Sequence, residues 1–326
     1  MQNQKIVLPP PPGLISALTA GFESVAGSIA VIALPVLFDM FLWFGPHLRL
    51  ETLTRPFLEQ LPQLYGQVSS TVNVEAAREF WQEILSGFNL FSSLHTFPVG
   101  LSSLLALEMP SLTPLGLPAV FQVESVLGVF GWLMLAAPVG WLLGGMYYYW
   151  VSKITLHPSS MPLGRSVIQV VFLSVIWLGI ILVLGFPSIL LLSLVTLLSP
   201  GLGQIVLFAA GIAVLWLLVP IYFSAHGIFT YQLNAITAIL NSLRMVRYTL
   251  PTTFLFLFLL IIIGQGLRFL WTTPTQDSWW LLVGILGHAF ISTALLSASF
   301  IYYRNVNNWL KVVLDQLKTQ VKPALF

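Results

Sequence analysis

The chain has 326 residues, of which 57% are hydrophobic and 7% charged, and its formal net charge is +2. A soluble domain carries roughly 25% charged residues, so this composition excludes one, and so small a net charge leaves no electrostatic footprint for nucleic acid. The absence of cysteine excludes disulfides, thiolate metal sites, cysteine nucleophiles and cysteine lipidation.

The longest uncharged stretch runs from Ser166 to Leu243 and contains no Lys, Arg, Asp or Glu. A spanning helix needs about 20 mostly apolar residues to cross about 30 Å of hydrocarbon. This stretch holds two such crossings, so the expected fold is all-α and polytopic, with six transmembrane helices, interfacial amphipathic helices and an extracytoplasmic helical cap.

In chain order, a polar start with Lys5 leads into Pro9-Pro10-Pro11-Pro12-Gly13, which cannot continue a helix. Gly13 to Phe22 reads as an amphipathic lead-in. The first span is placed at about residues 24–45. It carries Asp39 and ends in Phe41-Leu42-Trp43-Phe44, an aromatic belt rather than a signal-peptide cleavage site.

Residues 46–119 are expected to form the helical cap. Asn73 to Leu94 has an amphipathic pattern, with Val74, Ala77, Trp81, Ile84, Leu85 and Phe88 near one face. Thr52 to Tyr65 reads as a second helix, interrupted at Pro56 and Pro62. Leu94 to Pro118 either lies along the membrane surface or dips into it.

The second span, about 123–149, carries Gly140 and Gly144, a small-xxx-small pair that lets helix backbones approach. It ends in Tyr147-Tyr148-Tyr149-Trp150, read as another belt. The third span, about 166–198, would be about 50 Å long if unbroken. Gly185-Phe186-Pro187 marks a kink, or an end followed by a re-entrant piece at 188–199. The fourth span is about 204–229. Gly227 to Tyr248, with Arg244 and Arg247 at its basic end, resembles a helix in the interface plane. The fifth span, about 251–270, opens on a proline. The sixth is about 279–303, and 304–326 forms a tail with a weakly amphipathic helix.

Basic residues set the topology. Lys5, Lys153, Arg165, Arg244, Arg247, Arg304, Lys311, Lys318 and Lys322 fall on one side, against Arg49, Arg55, Arg78 and Arg268 on the other. The positive-inside rule then puts both termini in the cytoplasm.

Asp39 is the sharpest candidate for a functional residue, because an acid within a span is costly. By topology it shares the outer third of the bundle with Gln265, Arg268 and His288. These four form a candidate cluster for a polar headgroup or a proton relay. The plainer reading is an Asp39–Arg268 pair that cancels two charges, with His288 bonded to a nearby carbonyl. His226, in the opposite leaflet, cannot share a haem with His288 and reads as structural. There is no HExxH, Walker A, GxGxxG or Gly-x-Ser-x-Gly pattern. Neither a metal nor a cofactor is expected, and no catalytic residue is assigned.

Ser242-Leu243-Arg244-Met245-Val246-Arg247 follows an amphipathic segment and precedes a long apolar span. In this pattern, residues 200–303 resemble a bacterial group of six-span inner-membrane proteins that includes the membrane domain of some glycerophosphoryl diester phosphodiesterases. The phosphodiesterase domain is absent, so the resemblance carries no hydrolase activity. It implies a bacterial plasma-membrane protein with a role near lipid or envelope. The expected function is non-enzymatic, in envelope, lipid handling or assembly. Membrane lipids are the expected partners, and a protein partner or second copy is left open. The alternative is a transporter for a small or amphiphilic solute. A water-filled path to Asp39 would favour transport; a packed Asp39 would favour the first reading.

Overall fold

The structure is a computed structural model that describes residues 9–68, 74–108, 110–157 and 162–321. Among the described residues it is mostly helical, with two three-residue strands, β1 (His47–Arg49) and β2 (Val120–Gln122), paired in parallel. Five helices among the described residues are long and apolar enough to cross a membrane, or six if one bent pair is counted as a span. The protein is an all-α, multi-pass membrane protein.

The chain divides into two compact units. One comprises Met1–Ser28, Tyr148–Gly264 and Thr293–Phe326; the other comprises Ile29–Tyr147 and Gln265–Ser292.

In the first unit, helix α1 (Leu14–Ala26) holds Gly21 against α10 (Leu281–Val321). A Cβ on Gly21 would lie 2.6 Å from the backbone N of Ala298, so only glycine permits this approach. Helix α6 (Leu163–Ile180) runs through a π-helical turn at Ile181–Gly185 into α7 (Phe186–Leu198). Pro187 has no N–H and its ring clashes with the carbonyl four residues back. The wider π turn absorbs that defect, so the expected break at 185–187 is a bulge inside a continuous helical run.

Helix α8 (Pro200–Tyr231) starts on the Ser199 cap and ends at Gln232, which has left-handed geometry at φ 55°. Gly227 therefore belongs to α8, and the next helix starts later than the sequence suggested. That helix, α9 (Ala235–Trp271), fuses the expected interfacial segment to the fifth span across a non-helical Thr249. Its N-terminus is tied down twice: Asn234 Oδ1 accepts from Thr237 N at 2.8 Å, and Gln169 Oε1 accepts from Ala235 N at 2.8 Å. The sixth span and the tail helix are likewise one element, α10. The described residues end at 321, so the end of the tail near Pro323 lies outside them.

The centre of this unit is aromatic. His226 is fully buried, its Nε2 2.6 Å from Ser299 Oγ and its Nδ1 3.1 Å from Tyr222 O. Phe300 lies 4.5 Å from its ring, and Tyr148 is also buried. Much of α6 to α8 lies outside this centre: Leu182, Val183, Phe186, Ile189 and Phe208 are all exposed. Lipid tails are as apolar as these side chains, so a bilayer accepts them without penalty.

Residues 24–45 do not form one continuous helix. Helix α2 (Ala33–Phe44), preceded by a 3₁₀ turn at Ile29–Ile32, is long and apolar enough to cross a membrane only when counted with α1 as one bent pair. The cap region holds α3 (Glu51–Val68), α4 (Val74–Gly87) and a 3₁₀ turn at Leu90–Leu94. Pro56 and Pro62 do not interrupt α3. Asn73 lies outside the described residues, as do the side chains of Val74, Ala77 and Ile84. The aromatic clusters read as belts are divided: Trp43, Tyr147 and Tyr148 are buried, whereas Phe41 and Trp150 are exposed.

Helix α5 (Val126–Leu156) carries the small-residue pair. What approaches it is the end of the 3₁₀ turn at Leu94 and the irregular chain that follows, not a long helix. A Cβ on Gly140 would lie 2.6 Å from Leu94 O, and one on Gly144 would lie 2.7 Å from Gly100 Cα. Both positions abut backbone, which cannot give way as a flexible side chain can.

Gly144→Val is therefore expected to lower the unfolding midpoint of the detergent-purified protein, by overpacking worth about 1–3 kcal/mol. Gly131→Ala, at a position inside α5 where an added Cβ meets nothing within 4 Å, should leave the midpoint unchanged or raise it, because alanine is the better helix former.

Candidate functional site

The candidate residues Asp39, Arg268 and His288 all engage one short stretch of the second unit, Ser102–Glu108. This stretch has no regular helix or strand and is buried at its centre: Ser103, Leu104, Leu105 and Ala106 are all buried, while Leu107 and Glu108 are exposed. Its sequence is apolar except for two serines and the terminal Glu108.

Asp39 sits on α2 with 0% exposure. Its Oδ1 accepts from Ser103 Oγ at 2.5 Å and from Leu105 N at 3.1 Å. Its Oδ2 accepts from Leu104 N at 2.9 Å. Successive backbone N–H groups thus converge on the carboxylate in the manner of a nest. Ser103 serves the turn as well, since its Oγ accepts from Ala106 N at 2.9 Å. One hydroxyl caps the turn and donates to the acid.

Arg268, near the end of α9, does not pair with Asp39. Its Nη2 donates to Glu108 Oε1 at 3.0 Å and to Leu104 O at 3.2 Å, and its Nε donates to Glu108 at 3.3 Å. The expected Asp39–Arg268 ion pair is replaced by Arg268–Glu108, because the backbone donors of 104–105 already occupy the Asp39 oxygens. His288 on α10 places Nε2 3.3 Å from Ser102 Oγ. Gln265 is exposed, and its side chain makes no hydrogen bond among the described residues. The structure thus joins Asp39, Arg268 and His288 through the 102–108 segment and leaves Gln265 apart.

The sequence reading missed Ser102, Ser103 and Glu108. The signal was there in Leu101-Ser102-Ser103-Leu104-Leu105-Ala106-Leu107, a run too apolar for a wet loop and too short to span. Two further ties close the same unit. Trp43 Nε1 donates to Gln276 O at 2.9 Å, and Gln276 Oε1 accepts from Ser111 N at 2.9 Å.

His47 follows α2 and is buried, with Nε2 3.2 Å from Leu42 O and Nδ1 without a hydrogen-bond partner among the described residues. Burial pulls its pKa below the ordinary histidine value, the Leu42 carbonyl opposes that, and Arg49 adds to it. No group of three or more His, Cys, Asp or Glu among the described residues could hold a metal ion.

No protein-family model matches the chain, and neither a curated protein nor a solved structure matches it. Chemically, the arrangement is an acid whose acceptors are consumed by its own chain. It ties a helix to an irregular segment.

Asp39→Ala is expected to destabilise the purified protein by about 3 kcal/mol or more, because it strands several buried donors. Gln265→Ala should fall within about 0.5 kcal/mol of wild type. Thermal unfolding in detergent reads both.

His47 gives a pH signature. Its folded pKa lies below its unfolded value of about 6.5, so the unfolded chain binds the proton more readily and stability falls as pH drops through that window. The unfolding midpoint should decline from about pH 7 to pH 5, and His47→Phe should reduce that slope.

Proposed function

We propose that the protein is a non-enzymatic membrane protein with an envelope, lipid-related or assembly role, working through its membrane-embedded surface rather than through a reactive centre. The observation that carries this reading is the state of Asp39. Its side chain is 0% exposed and accepts hydrogen bonds from Ser103, Leu104 and Leu105. An intramembrane acid that serves a solute or proton path faces a water-filled cavity or a partner that can exchange. Here Arg268, which binds the same segment through Leu104 O, is itself engaged by Glu108.

Membrane lipids are the partners in this reading. The exposed apolar side chains of α5 to α9 supply the contact. The bacterial plasma membrane, with both termini cytoplasmic, completes the proposal. It rests on the distribution of Lys and Arg, with Lys153, Arg165, Arg244, Arg247 and Arg304 on the inner side, and on the resemblance of residues 200–303 to bacterial inner-membrane proteins.

The test uses the absence of cysteine from the chain. Asp39→Cys and Ser103→Cys are reacted with a membrane-impermeant thiol reagent, and Leu115→Cys, at a position 76% exposed, is the control. The expected result is a labelled control and two unlabelled interior positions in folded protein. Rapid labelling at 39 and 103 would replace this reading with solute transport.

A further inference from the structure

The kink in α9 borders a cavity lined by Tyr248, Thr249, Pro251 and Thr252 on α9 and by residues of α10. Pro251 has no N–H to donate and its ring collides with the preceding turn. Thr249 leaves helical geometry at φ −130°, ψ 22°. The local hydrogen bonds adapt, as Thr249 Oγ1 donates to Met245 O at 2.7 Å. Facing this kink, α10 offers Tyr302, Val306 and Trp309, spaced to lie along one helical stripe.

The N-terminal arm supplies the remaining wall. Pro11 and Pro12 line the cavity with Tyr248, Tyr302 and Trp309, and its volume is about 180 Å³. Trp309 Nε1 donates to the carbonyl of Pro9 at 2.8 Å. Gly13, at φ −68° and ψ 132°, continues the proline run in polyproline II geometry. The groove wall is set independently of the arm. Tyr302 stacks on Phe256 with centroids 4.0 Å apart, and its hydroxyl lies 3.1 Å from Thr253 Oγ1.

These features meet the physical needs of proline recognition. A proline run is already extended, so it loses little entropy on docking, and aromatic-lined grooves take its rings. Its carbonyls have no intrachain partner and accept readily from an indole N–H.

We propose that the α9 kink and the Tyr302–Trp309 stripe of α10 form a recognition groove for a proline-rich segment. The protein fills this groove with its own Pro9–Pro12, and the docked arm straps the kink in place. The groove is separate from the Asp39 site and does not depend on the function proposed above.

Hydrogen exchange on the full chain in lipid nanodiscs tests this. Replacing Pro9, Pro10, Pro11 and Pro12 together by serine is expected to speed exchange of amides at 249–255 about tenfold, as a locally released segment does. Trp309→Phe, which keeps the ring but loses the donor, should give a smaller increase. Pro10→Ser alone, outside the cavity wall, should change nothing. A synthetic peptide with the sequence of residues 1–13, added to the four-serine protein, should restore the protection. Unchanged exchange in the four-serine protein, or a peptide that restores nothing, overturns the proposal.

Discussion

The carboxylate of Asp39 and the three donors of Ser103, Leu104 and Leu105 express the constraint on which the second unit depends. In an apolar surrounding, a polar group that loses water must find its partner in the protein. An acid at 0% exposure is tolerable because a segment without regular structure turns its backbone N–H groups toward it. The reverse also holds. The irregular run 101–106 can be buried because its own orphan donors have an acceptor on α2. Each element would be costly without the other.

The same bookkeeping recurs wherever a helix is interrupted. Pro187 removes a donor, and a π turn at Ile181–Gly185 absorbs the defect. Pro251 removes another, and Thr249 leaves the helix while its hydroxyl bonds Met245 O. Gln232 ends α8 in left-handed geometry, and its backbone N–H reaches back to Gly227 O. Irregular backbone in this protein is accompanied by a local hydrogen-bonding solution.

Close backbone approach supplies the rest of the packing. Gly144 meets Gly100, and Gly21 meets Ala298. Dispersion between closely packed atoms is the main attraction left when lipid removes the hydrophobic advantage of association. The outward side chains of α6 to α8 need no such partner, because lipid replaces water against them.

The sequence by itself determined that this is a helical membrane protein. Composition and the uncharged run 166–243 suffice, because transfer of apolar surface depends on residue type and hardly on neighbours. Its expected third and fourth spans, 166–198 and 204–229, lie close to the helical runs at 163–198 and 200–231, since hydropathy and proline are local signals, whereas α9 and α10 each run well beyond the span expected within them. It singled out Asp39, because an acid in an apolar run is visible without coordinates. Only the tertiary structure decided what Asp39 touches. Its partners are 64 to 66 positions away in a run that reads as loop, and two of them are backbone N–H groups, which every residue but proline carries. For the same reason Arg268 was assigned to Asp39 by charge, while space assigned it to Glu108. The Gly140–Gly144 pair was legible as a site of close approach, but small residues do not say what approaches them, and here it was a loop. Pairings made by backbone leave no mark in residue identity, so they become visible only once the chain is folded.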